Sequence, residues 1–157
     1  MNNEKLQRYS LVAEILGGLA VVLSIIYLAV EIQSNTNAIQ TQSNQGLIEL
    51  LNEITYMRFE NADLMLEGVG NFEELDESER YQYTLLFYAS MNIYEQAFNA
   101  YSTGTLSKEL WQAWNGDGQR RRICMESSQR IWVQLVDDFS PDFQLHIDAV
   151  CGNNGLP

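Results

Sequence analysis

Apolar and polar positions are unevenly distributed along this chain. Ile15 to Val30, ILGGLAVVLSIIYLAV, is a run of sixteen residues without a charge. At a helical rise of about 1.5 Å per residue it covers roughly 24 Å, short of the ~30 Å hydrocarbon layer of a bilayer. Extended through Leu11, Val12 and Ala13 on one side and Ile32 on the other, it becomes a 22-residue transmembrane helix over 11–32. Glu14 and Glu31 then fall near the interfaces, where a carboxylate reaches water or takes up a proton. Tyr9 and Tyr27 lie near opposite ends, where aromatic side chains meet headgroups. Two other readings compete. A buried core helix needs more chain around it than this small domain supplies. A cleaved signal peptide needs a small-x-small site, which Tyr27 and Leu28 crowd out. The pattern therefore predicts an uncleaved signal anchor, preceded by a short tail over 1–10.

After the anchor the pattern stays helical. Gln33 to Gln45 is polar but uncharged and free of proline, so nothing stops the helix leaving the membrane. From Leu47 the positions Leu47, Leu50, Leu51, Ile54 and Met57 recur at helical spacing and make a face that must pack on something. The stretch 33–58 reads as a stalk packing into the domain. Asn61 is placed to cap a short helix, ADLMLEGV, ending near Gly68 and Gly70, read as positions tolerating positive φ. Asp76 with Glu79 predicts a capping box and a long central helix to about Ser102. Gly104 ends it, and Ser107 caps KELWQAW. Asn115 to Gly118 predicts a break, since glycine weakens a helix interior. Ser127 or Ser128 is expected to start another helix ending at Asp138 and Phe139. Ser140 and Pro141 read as cap and first position of a last helix reaching Cys151. The predicted fold is all-α: a transmembrane helix continuing into a helical-bundle domain over 33–151, with a frayed tail over 152–157.

Charge narrows the partners. Beyond the first ten residues there are 20 acidic and 7 basic side chains, a net charge of −13. Such a surface is repelled by nucleic-acid phosphates and anionic headgroups unless a local patch intervenes. Arg120, Arg121 and Arg122 are the one basic cluster, but consecutive helical residues spread around the axis and make no single face. They read as a solvated, charge-balancing run. No nucleic-acid partner and no cofactor are expected.

Chemistry is sparsely marked. No CxxC, HExxH, GxSxG or phosphate-cradling loop occurs. Asn115 to Glu126 loosely follows a calcium loop but carries Arg120 where the sharp turn needs glycine. His146, the single histidine, has Asp142 four residues before it and no marked nucleophile, so it reads as a surface or interface residue. Paired carboxylates, Glu73 with Glu74 and Asp137 with Asp138, read as solvated. Tyr83, Phe87, Tyr94, Trp111, Trp114 and Trp132 offer two readings: a packed core, which is favoured, or an aromatic pocket for an apolar or lipid-like ligand. Ala13, Gly17, Ala20 and Ser24 form a stripe of small residues, a candidate packing seam for a second copy in the membrane.

The segments EILGGLAVVLSIIYLAVEIQSNTNAI, YSTGTLSKELWQAW and FSPDFQLHID resemble a widespread, functionally uncharacterised family of small bacterial proteins with one N-terminal membrane helix and a helical domain. The resemblance implies an inner-membrane location and this architecture, and carries no catalytic residue across. Relatives often have arginine just after the membrane helix, where this chain has Gln33, Ser34 and Asn35. Its own charges set the orientation: Lys5 and Arg8 precede the span and no basic residue follows until Arg58, so the N-terminus is expected in the cytoplasm and the domain outside. There Cys124 and Cys151 have two readings, buried apolar residues or a disulfide pinning the last helix. The expected role is a membrane-anchored, non-enzymatic interaction or sensing module, homo-oligomeric or bound to an unidentified protein. The competing class is a small-ligand or lipid-binding domain, or an enzyme with an unlocated carboxylate site.

Overall fold

The computed structural model describes residues 3–152, which form seven α-helices and no strand. Helix α1 (Asn3–Glu60) is followed by α2 (Ala62–Asn71), a short 3-10 turn (Phe72–Glu74), α3 (Glu77–Ser102), α4 (Lys108–Trp114), α5 (Asp117–Ile123), α6 (Glu126–Leu135), a second 3-10 turn (Val136–Asp138) and α7 (Pro141–Gly152). The fold is thus all-α, a long N-terminal helix followed by a smaller helical domain. Residues 3–10, expected as a tail, are the first turns of α1. The frayed tail read over 152–157 lies outside the described residues from Asn153 onward, and Gly152 closes α7.

The chain divides into two compact units, Met1–Thr41 and Gln42–Pro157. In the first, the side chains from Leu6 to Ile39 are exposed, and this helix is long and apolar enough to cross a membrane, with a mean hydropathy of 2.4 over its most apolar 18-residue window. In the polar stretch after Ile32, which stays helical, side chains bond within the helix. The hydroxyls of Thr36 and Thr41 donate to the carbonyls of Ile32 and Asn37, each at 2.9 Å, and Gln33 donates to Asn37 at 3.1 Å. Competition from short polar side chains is thereby turned to the helix's own carbonyls.

The second unit begins at Gln42, within the stretch read as a stalk. Leu47 and Ile54 are buried, Leu50 and Met57 half-buried, and Leu51 largely exposed. Helix α3 organises the rest. Its capping box is complete: Asp76 accepts from the Glu79 amide, and Glu79 accepts from the Asp76 amide. One buried cluster gathers Met91, Tyr94 and Ala97 of α3 with Trp111, Trp132 and Phe143. A smaller one joins Tyr83 of α3 to Leu75 and Ile131.

Local readings are corrected at several points. Asn61 makes no side-chain cap, because its amide donates back to the Met57 carbonyl at 2.8 Å. Among the described residues Gly104, at φ +77°, is the one position in the left-handed region. Gly68 is required for space: a Cβ there would lie 2.4 Å from ring carbons of Tyr83, so the glycine lets α2 lie against α3. Helix α6 starts at Glu126 with Met125 at the cap position, leaving Ser127 and Ser128 inside it and buried. The Ser140 hydroxyl is buried without a hydrogen-bond partner, while its amide donates to Glu95 at 2.8 Å. Cys124 and Cys151 are joined as a disulfide with α-carbons 5.3 Å apart, which decides between their two readings.

Candidate functional site

Two polar centres lie inside the domain. The first is built on Tyr94, which is 0 % exposed. Its hydroxyl donates to Asn115 Oδ1 at 2.7 Å and lies 3.0 Å from His146 Nε2. A phenol has one proton, so with that proton on Asn115 the imidazole must supply the second bond as an Nε2–H donor. Arg120 steadies Asn115 by donating from Nε to its carbonyl at 3.0 Å. The imidazole lies over the Phe98 ring, centroids 4.9 Å apart, with Trp111 at 5.4 Å. His146 is therefore a half-buried member of the aromatic core, which corrects the surface reading. Burial, assisted by the nearby Arg120 charge, holds its pKa below the ordinary 6.5. Burial pushes the Tyr94 phenol well above its ordinary value, and Arg120 only partly opposes that. Both shifts favour neutral forms, and a phenol that keeps its proton is not an activated nucleophile.

The second centre is Arg58, near the end of α1. Its Nη2 donates to Ser90 Oγ at 2.5 Å, and that hydroxyl in turn donates to the Leu86 carbonyl. The Arg58 Nε is buried and has no hydrogen-bond partner. Among the described residues the ion pairs are those of Arg130 with Glu73 and Glu126, so no carboxylate neutralises Arg58. Desolvation lowers its pKa, and the charge of Arg122 lowers it further. Two guanidinium groups thus share one neighbourhood.

Around this pair the domain is open. A cleft of about 430 Å³ extends between α2, α3 and α5, walled by Met65, Leu66, Val69, Phe87 and Met91. A second hollow of about 310 Å³ adjoins it, with Trp114, Gly116 and Gly118 on its wall. Arg58, Ser90, Gln119 and Arg122 belong to both. Neither wall contains an aspartate or glutamate, although the chain has 21 acidic against 9 basic side chains.

The six aromatic residues proposed as a pocket are divided by the fold. Tyr94, Trp111 and Trp132 are buried in the main cluster, with Trp114 packed against it. Tyr83 and Phe87 line the larger cleft, and Trp114 also edges the smaller hollow. Of the three arginines read as a solvated run, Arg121 and Arg122 are exposed, Arg122 also bordering the cleft, whereas Arg120 turns inward to Asn115. In the calcium-like segment Asn115 Oδ1 accepts from the Tyr94 hydroxyl, and Glu126 is paired with Arg130 at 2.7 Å. Among the described residues no three His, Cys, Asp or Glu side chains converge as a ligand set. Ala13, Gly17, Ala20 and Ser24 are exposed on α1, with the Ser24 hydroxyl bonded to the Ala20 carbonyl at 2.8 Å. Arg58 itself is missed by sequence reasoning. A lone basic residue on an otherwise apolar helical face was the signal available for it. No protein-family model, curated protein or solved structure matches this chain.

Proposed function

We propose that this chain is a single-pass protein of a bacterial inner membrane whose helical domain works as a binding or sensing module rather than as an enzyme. The observation that carries this reading is the acid-free cleft around Arg58. An arginine keeps its proton at any physiological pH, so Arg58 and Arg122 are suited to holding an anion and unsuited to passing protons. For the membrane half, the support is the exposed apolar helix with its 18-residue window of mean hydropathy 2.4. Lys5 and Arg8 before the span favour a cytoplasmic N-terminus. The disulfide between Cys124 and Cys151 agrees with a domain outside, where such bonds persist.

Two measurements test it. After alkaline washing of membranes the full chain should stay in the pellet, and its release would remove the anchor. An epitope fused after Pro157 should be stained by antibody on intact spheroplasts; staining only after permeabilisation would reverse the orientation. A second copy is also proposed as a partner through Ala13, Gly17, Ala20 and Ser24, where a flush surface lets two helix backbones approach. Replacing Gly17 and Ala20 together by leucine should weaken self-association in a membrane dimerisation assay, and unchanged association would discard the seam.

A further inference from the structure

The two hollows meet at Arg58, Ser90, Gln119 and Arg122, and they differ in character. The larger is lined by apolar side chains, three of them methionines, Met65, Met91 and Met125. Methionine is unbranched and flexible, which lets a wall adapt to a chain of irregular shape. The smaller is edged by Trp114, Gly116, Gly118 and Gln119. An apolar slot bordered by two cations, with no acid among its walls, suits an apolar chain ending in an anion.

We infer that the cleft binds a single-chain anionic amphiphile, its carboxylate or phosphate-monoester head between Arg58 and Arg122 and its alkyl chain along Met65, Phe87 and Met91. This rests on reading the cleft as a binding site, and it specifies the ligand class. The head would meet the guanidinium groups of Arg58 and Arg122, both of which line the cleft and whose paired donors suit a carboxylate or phosphate. It would also neutralise two like charges that the fold brings together. A volume of about 430 Å³ lies within the ordinary range of ligand sites.

The test uses the full chain, disulfide intact, in nanodiscs of phosphatidylcholine, photolysed with a diazirine-bearing lauric acid, the labelled peptides being identified by mass spectrometry. Label is expected within residues 62–69 and 87–91. Excess laurate or dodecyl phosphate should suppress it, and dodecanol or inorganic phosphate should not. Arg58→Gln combined with Arg122→Gln should lower labelling at least tenfold; if the pair fails to fold, Arg122→Gln alone, at an exposed position, should lower it several-fold with an unchanged helical spectrum. The inference is overturned by label confined to 11–32, by equal competition from dodecanol, by labelling indifferent to the arginine variants, or by displacement with phosphatidylglycerol but not with laurate. A diazirine-bearing dodecanol separates the two levels. Cleft labelling by the alcohol without the acid keeps a binding site and rejects the anion, whereas cleft labelling by neither rejects both.

Discussion

Tyr94 and Arg58 are both polar groups carried into apolar surroundings, and the domain treats them in opposite ways. Tyr94 is closed off: its hydroxyl has Asn115 and His146 as partners, aromatic rings surround it, and burial keeps it and the imidazole neutral. Arg58 is left open. It has Ser90 on one nitrogen, nothing on Nε, a second cation nearby and a cleft in front of it. A tyrosine or histidine in a poor environment can stay uncharged, but arginine cannot shed its proton. A closed neutral network serves the fold, whereas an unneutralised cation facing a cleft leaves a demand that an incoming anion can meet.

The largest effect should come from opening the closed centre. Phe143 is 0 % exposed and packs edge-on to Tyr94 with centroids 5.4 Å apart. Phe143→Ala should lower unfolding stability by about 3–5 kcal/mol in chemical denaturation. A loss under about 1 kcal/mol would mean that this cluster is not the core it is taken to be. Tyr94→Phe keeps the ring and removes the hydroxyl, leaving Asn115 and His146 short of a partner. It should cost about 1–3 kcal/mol.

Acid should act in the same place and direction. Because the folded-state pKa of His146 is depressed, the unfolded chain takes up a proton more readily. The stability it contributes is present above the ordinary value of 6.5, is lost as pH falls from there to the lower folded value, and then levels off. Denaturation midpoints measured from about pH 8 down to about pH 5 should show this slope in the wild type. His146→Leu should flatten it, and an unchanged slope would assign the acid sensitivity elsewhere.

Arg58→Met should have the smallest effect on stability. It removes a half-buried cation that no carboxylate balances, and Ser90 still donates to the Leu86 carbonyl. The variant should be about as stable as the wild type or slightly more so, since apolar replacement of poorly compensated buried charge is often neutral or favourable. A loss beyond about 2 kcal/mol would make Arg58 a structural residue and erase the contrast with Tyr94.

What can be read from the residues beforehand follows the range of the forces involved. The capping box of Asp76 and Glu79, the Ser107 cap, the turn at Gly104 and the break between Trp114 and Asp117 all depend on neighbours a few positions away, and each is visible in the chain. So is the continuity of α1, where nothing between Ile32 and Leu47 offers the backbone a better alternative. Gly68 is different, because the requirement is set by the Tyr83 ring and not by its own backbone angles. Ser140 has the composition of a cap, yet its hydroxyl is buried without a partner while its amide reaches Glu95, 45 positions away. The cleft is least visible of all. Arg58 meets Ser90 across 32 positions, and Arg122 arrives on another helix, so no spacing rule links them.

The disulfide closes a covalent ring over residues 124–151 that contains α6, the turn Val136–Asp138 and all of α7 but Gly152. Any single backbone cut inside that ring leaves both pieces on one molecule. Asp137 and Asp138 are exposed within it, a natural place for a protease to nick. A nicked chain should run at full mass on a gel until thiol is added and only then fall into two fragments. Survival of full-length mass without reductant is therefore no measure of an uncut backbone in this part of the protein.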